Sequence, residues 1–169
     1  MRQILIDGHN VMFAWEGVRQ AGLRDPWVGR QRVVEAAARY QAQRPGREIT
    51  VVFDGREGMP GNAEGTSGVR VIYSRPPMNA DRVIREMVEK ASGVEETWVV
   101  SSDREVQSHA RACGAKVFGA KAFEGEMMGR PVSGPSLGGG RGTSGKSEKP
   151  TRMRKRDVDF WLRVMSEER

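Results

Sequence analysis

Short apolar runs that close on a carboxylate alternate along this chain with segments whose apolar residues recur at helical spacing. Ile4-Leu5-Ile6 reads as a buried strand delivering Asp7-Gly8-His9-Asn10 into a polar loop. An irregular stretch follows. Asp25-Pro26 then offers an N-cap with proline at the first helical position, and Val28, Val33, Val34, Ala37, Ala38 and Tyr40 give that helix an apolar face up to Pro45-Gly46. Ile49-Thr50-Val51-Val52-Phe53 is β-branched and aromatic, and it again ends on an acid, Asp54-Gly55. Residues 56–68 are rich in glycine and polar side chains and read as a loop, a candidate flexible flap. Val69 to Tyr73 makes a short strand stopped by Pro76-Pro77.

The second half repeats the alternation. Asn79 caps a helix from Ala80 to about Ala91, with Val83, Ile84, Met87 and Val88 in one apolar stripe and Asp81 in the first turn. Thr97-Trp98-Val99-Val100 is a strand, Ser101-Ser102 leads into a helix starting near Asp103, and Gly114 ends that helix before the strand Lys116-Val117-Phe118. Strands separated by three-turn helices need long crossovers. The pattern therefore predicts an α/β domain with a doubly wound, mainly parallel sheet and helices on both faces.

Beyond this the periodicity stops. Residues 127–151 are Gly, Ser, Pro and basic residues with little apolar surface to bury, and read as a disordered linker. In 152–169, Val158, Trp161, Leu162 and Met165 fall at i, i+3, i+4 and i+7 behind Arg152, Arg154, Lys155 and Arg156, which predicts a basic amphipathic helix. Charge sharpens the division. Residues 1–128 hold 18 Lys+Arg against 17 Asp+Glu, leaving 10 against 5 for 129–169. A basic arm on a nearly neutral domain suits a polyanion, and nucleic acid ranks ahead of membrane because the arm has no strong apolar anchor.

Composition narrows the class. The hydrophobic fraction of 37% and mean hydropathy of -0.60 are low for a compact enzyme, as expected if part of the chain lies outside the core. Cys113 is the only cysteine, so no intrachain disulfide or zinc-finger spacing exists. No apolar run is long enough for a signal peptide or a membrane span, and a cytoplasmic location is expected.

The chemistry follows from where the acids fall. In open α/β sheets, sites form outside the carboxyl ends of the strands. Asp7, Asp54 and Asp103 fall there, and Asp81 opens a helix that can face the same edge. Four carboxylates in one crevice repel one another and raise each other's pKa unless a cation compensates, so the cluster makes sense mainly as a divalent-metal site, with Mg²⁺ or Mn²⁺ favoured by hard oxygen ligands. Phosphodiester hydrolysis is the reaction such ions suit best. Taken singly, each acid is equally well explained as an N-cap or turn residue.

The motifs Ile-Leu-Ile-Asp7-Gly-His-Asn10, Val-Val-Phe-Asp54-Gly, Asn-Ala-Asp81 and Val-Val-Ser-Ser-Asp103-Arg-Glu occur in an order that resembles the NYN family of PIN-like ribonucleases, in its YacP-like branch, over about residues 1–126. The resemblance implies a metal-dependent endoribonuclease whose acidic motif positions are Asp7, Asp54, Asp81 and Asp103, with Asn10 at the motif asparagine. Asp7 and Asp103 are then expected as direct ligands and Asp54 and Asp81 as holders of metal-bound water or a second ion. Asn10 is expected to orient a carboxylate or a substrate phosphate. RNA is the expected partner, with a ribosome or other ribonucleoprotein and self-association left open. The competing reading is a noncatalytic RNA-binding or ribonucleoprotein-binding factor on the same fold.

Other residues carry weaker signals. Ser101 and Ser102 either cap the helix or meet a phosphate at its N-terminus. Arg56, Arg75, Arg82 and Arg104 adjoin the acidic motifs and suit an RNA backbone, most persuasively as a group. His9 reads first as a local hydrogen-bonding residue, and His109 and Cys113 have no companions that would make a ligand set or nucleophile dyad. Trp15 and Trp27 either stack on unpaired bases or pack in the core. A dinucleotide enzyme is disfavoured because no G-x-G-x-x-G follows the first strand, and a P-loop enzyme because G-x-x-x-x-G-K-[ST] is absent. An aspartyl phosphatase would want a second acid where His9 stands.

Overall fold

The computed structural model describes residues 2–55, 62–64 and 68–127, all within the compact unit Met1–Gly138. The chain runs β1 (Arg2–Asp7), α1 (Gly8–Ala14), α2 (Glu16–Arg24), α3 (Pro26–Ala42), β2 (Arg47–Phe53), β3 (Asn62–Glu64), β4 (Arg70–Tyr73), α4 (Ala80–Glu89), β5 (Trp98–Val100), α5 (Arg104–Ala112), β6 (Lys116–Phe118) and α6 (Ala120–Met127). One sheet has the order β3-β4-β2-β1-β5-β6. Among the described residues only β3 is antiparallel to its neighbour; the remaining pairs are parallel. The α/β class, the mainly parallel sheet and the helices on both faces are as the periodicity predicts.

Side-chain alternation along the strands builds two cores. Leu5, Val52, Val99 and Val117 share one face and pack under Ala80, Ile84 and Val88 of α4 and Val106 and Ala110 of α5. On the other face α1, α3 and α6 cover the sheet. There Phe123 meets Tyr40 at 5.5 Å and Phe118 at 6.0 Å between ring centroids, and the buried Trp15 donates its indole N–H to the Ala120 carbonyl at 2.7 Å. Trp15 is therefore a core residue. Trp27 is 53% exposed at the start of α3.

Three expectations need correction. Residues 8–24, read as a polar loop and irregular stretch, form α1 and α2. Asp7 caps α1 through its side chain, while Gly17 and Gly22 weaken the helical signal of α2. Gly22 serves packing. A Cβ built on Gly29 would lie 2.7 Å from both the Gly22 Cα and the Met12 sulfur, so α2 and α3 approach closely because neither glycine carries a side chain. Gly29→Ala is expected to destabilise the domain by about 1–3 kcal/mol, the usual range for overpacking, measured by urea denaturation.

The second correction lies in the loop expected over 56–68, where Asn62–Glu64 pairs antiparallel with β4 and forms the sheet edge. The other loop positions lie outside the described residues apart from Gly68. The third is α6, which the periodicity does not predict. It buries Ala120 and Phe123 beside few other apolar residues of its own, so its periodic signal is thin. The linker expected over 127–151 has its first residue, Met127, in α6; the rest of it and the helix expected at 152–169 lie outside the described residues.

Candidate active site at the carboxyl edge of the sheet

β1 is flanked by β2 on one side and β5 on the other, so successive connections leave the sheet in opposite directions at this strand. That reversal opens a crevice beyond the carboxyl ends. Asp7 ends β1, Asp54 follows β2, and Ser101 to Asp103 follow β5. The topology thus brings three chain-distant motifs to one edge.

Asp7 is 2% exposed. Its Oδ1 accepts the Asn10 backbone N–H at 3.1 Å. Its Oδ2 accepts the Asn10 side-chain amide at 2.8 Å and the Ser101 hydroxyl at 3.1 Å. Burial is the main influence on this carboxyl and raises its pKa from 3.8 to about 6; the nearby Asp81 charge adds to the rise and the Asn10 and Ser101 hydrogen bonds oppose it. Asn10 orients Asp7 and also accepts the Ser102 backbone N–H at 3.2 Å, tying the end of β1 to the end of β5.

Ser101 is fully buried and works in both directions: its hydroxyl donates to Asp7 and accepts the Asp103 N–H at 3.1 Å. Asp103 caps α5, its Oδ1 accepting the N–H groups of Glu105 at 2.8 Å and Val106 at 3.0 Å. Asp54 spends Oδ1 on the Ala80 N–H at 2.7 Å and on the Ser74 hydroxyl at 3.4 Å. This anchors the start of α4, and with it Asp81, to the end of β2. Gly55 makes the approach possible, since a Cβ there would lie 2.2 Å from the Ser74 carbonyl oxygen.

Asp81 differs from the other three in that its carboxylate makes no hydrogen bond or ion pair among the described residues. Its pKa is raised, first by burial and then by the charges of Asp103 and Asp54, with Arg85 opposing. Electrostatically it is the common neighbour of Asp7, Asp54 and Asp103. Among the described residues no three His, Cys, Asp or Glu groups stand close enough to hold one ion. The four carboxylates form an open arrangement around Asp81 and not a closed cage.

The predicted polar contacts divide. Ser102 turns its hydroxyl toward α6, accepting the Ala120 N–H at 3.1 Å. Arg82 is exposed and pairs along α4 with Glu86 at 3.2 Å, and Arg104 is exposed at the start of α5. Ser74 carries no signal in the sequence. Ser101 reads there only as a cap or phosphate contact, and His9 as a local residue, although His9 accepts the Asp54 backbone N–H at 3.2 Å. The imidazole is kept neutral: burial lowers its pKa to about 4, the Asp54 charge opposes this, and Arg30 lowers it further.

A doubly wound sheet with acids gathered outside its carboxyl edge defines a nuclease-like α/β domain of the NYN class. The chain belongs to the YacP-like NYN domain family, whose family model matches residues 4–133. Two solved structures share the fold. The chain is similar to Rae1 (YacP) from Bacillus subtilis, at 20% identity and a TM-score of 0.61, over 99% of this chain and 83% of that one. It is also similar to a tryptophan-to-leucine mutant of the same protein, at 22% identity and a TM-score of 0.63, over 76% of each chain. No functionally curated protein matches. Among the described residues no helix is long and apolar enough to cross a membrane.

Proposed function

We propose that the chain is a divalent-metal-dependent endoribonuclease that hydrolyses RNA phosphodiester bonds, with Asp7, Asp54, Asp81 and Asp103 holding Mg²⁺ or Mn²⁺. The observation that carries this reading is the Asp81 carboxylate, unpartnered among the described residues and set among three others, with its pKa raised by burial and by the charges of Asp103 and Asp54. A cation relieves that repulsion, and the all-carboxylate donor set fits a hard ion. The open arrangement also suits Mg²⁺, which commonly takes one or two carboxylates and completes its shell with water and substrate phosphate.

When bound, such an ion supplies Lewis acidity toward a phosphate oxygen and lowers the pKa of water. The residues of the chain supply the frame. Asn10 and Ser101 hold the Asp7 carboxylate in one orientation. Ala80 and Ser74 take up Oδ1 of Asp54 and leave Oδ2 without a close donor among the described residues. The cap bonds of Asp103 likewise occupy only Oδ1. Open oxygens on Asp54, Asp81 and Asp103 therefore remain for ligation. RNA as substrate follows from the nuclease-like family and from the excess positive charge of residues 129–169; a cytoplasmic setting and a ribosome or other ribonucleoprotein as platform belong to the same reading.

A noncatalytic RNA-binding factor is favoured by one observation, the lack of a preformed three-ligand site among the described residues. The deciding experiment is incubation of structured and single-stranded RNAs with the full chain in Mg²⁺, Mn²⁺ or chelator, with and without ribosomes. Cleavage that needs the metal is expected. RNA binding without cleavage under every condition would select the noncatalytic reading.

A further inference from the structure

We propose that His9 is a two-sided site residue: its Nδ1 positions Asp54, and its Nε2–H donates a hydrogen bond to a phosphate oxygen of the RNA. The substrate half rests on the nuclease reading above. The positioning half is a property of the protein alone.

The tautomer follows from geometry. The Asp54 backbone N–H points at Nδ1 at 3.2 Å, so Nδ1 offers a lone pair and the ring proton sits on Nε2. Nδ1 lies 3.6 Å from the Asp54 Oδ2, too far for a hydrogen bond to the carboxylate. Nε2 has no hydrogen-bond partner among the described residues, and the side chain keeps 19% of its surface open. The ring is also held in direction. Phe53 meets it edge-on at 5.6 Å and Phe13 lies against it at 6.5 Å. A Cβ at the preceding Gly8 would fall 2.3 Å from Phe53, so the turn into α1 closes around this contact only with glycine there.

The chemistry of the edge calls for such a donor. Asp7, Asp54, Asp81 and Asp103 offer only acceptors when ionised, and a phosphodiester entering among them is itself an anion. A neutral N–H next to Asp54 binds the anion without neutralising the carboxylates that hold the cation. The cations of α4 have partners of their own: Arg82 pairs with Glu86 at 3.2 Å, and Arg85, whose charge acts on Asp81, with Glu105 at 3.7 Å.

Three variants separate the two sides of the ring. In His9→Asn the amide oxygen takes the place of Nδ1 and nothing replaces Nε2; in His9→Gln the amide nitrogen reaches toward the place of Nε2 and the Nδ1 acceptor is lost; His9→Leu removes both. Hydrogen exchange at the Asp54 amide in the full chain is expected to stay slow in His9→Asn and to become fast in His9→Gln and His9→Leu. Affinity for a single-stranded oligoribonucleotide in Mg²⁺ is expected to fall about ten- to hundredfold in His9→Asn and His9→Leu, the range of a hydrogen bond to a charged group. It is expected to fall less in His9→Gln. Wild-type affinity in His9→Asn would overturn the donor role, and a protected Asp54 amide in His9→Leu would overturn the positioning role. If the wild type binds RNA without cutting it, the nuclease reading fails while the same affinities still decide the His9 contact.

Discussion

Asp81→Asn is expected to leave the fold intact and to lower the proposed metal-dependent RNA cleavage by roughly 10²–10³-fold, the size of effect seen when one electrostatic stabiliser of a transition state is removed. Asp81 is the cleanest of the four acids to test because its carboxylate makes no hydrogen bond among the described residues, so the substitution breaks no contact that holds the domain together. Helix α4 keeps its cap from Asn79, whose side chain accepts the Arg82 N–H at 3.0 Å. Losing a charge that repels Asp54 and Asp103 also raises the urea midpoint of the metal-free protein. Single-turnover cleavage and denaturation on the same preparation check both outcomes. A variant that cuts at the wild-type rate would remove Asp81 from the metal site.

The second large effect is on stability. Asp7 has its pKa raised from 3.8 to about 6 in the folded state. A folded state that holds its proton more tightly than the unfolded chain is favoured at low pH and loses that advantage as pH rises through the window from 3.8 to about 6. The shift corresponds to about 3 kcal/mol at 1.36 kcal/mol per pH unit, and little solvent screening reduces it because the residue is 2% exposed. In chelator the wild type is therefore expected to lose stability across this window relative to Asp7→Asn, a comparison that cancels the opposing gain from His9, whose pKa burial lowers to about 4. Saturating Mg²⁺ or Mn²⁺ is expected to restore the loss. Urea denaturation of the wild type and Asp7→Asn between about pH 4 and 8, with metal and with chelator, measures both; a difference between the two proteins that does not change with pH in chelator would show that Asp7 is not held in this strained ionisation.

The two halves of this picture are unequally legible in the sequence. β1, β2, β5 and β6 stand out because buried parallel strands read as unbroken apolar runs. Acids at their ends then point to the crevice. Helices α1 and α2 stay hidden for a physical reason: Gly8 and Gly22 sit where rings or backbones crowd together, and the same glycines that permit this contact weaken the local helical signal. Within the site, the acids and Asn10 follow from motif position. Their supports do not. Ser74 reaches Asp54 from a different strand, and Ser101 joins Asp7 to Asp103 by a hydroxyl whose direction only packing decides. Ser102 beside it turns to α6 instead. Two adjacent serines of identical local pattern thus acquire different duties from the tertiary environment.

The strand order has a bearing on synthesis of the chain. Because β5 lies beside β1 while β2 and β4 fill the other flank, the amino-terminal half can assemble its sheet with Asp7 and Asp54 in place and still lack Asp103 and the Ser101 bridge to Asp7. Domains form as they leave the ribosome from the amino terminus onward. A nascent or prematurely ended chain therefore carries an incomplete set of carboxylates until β5 docks against β1. The pairing of β5 with β1 is thus the step that completes the set of acids at this edge.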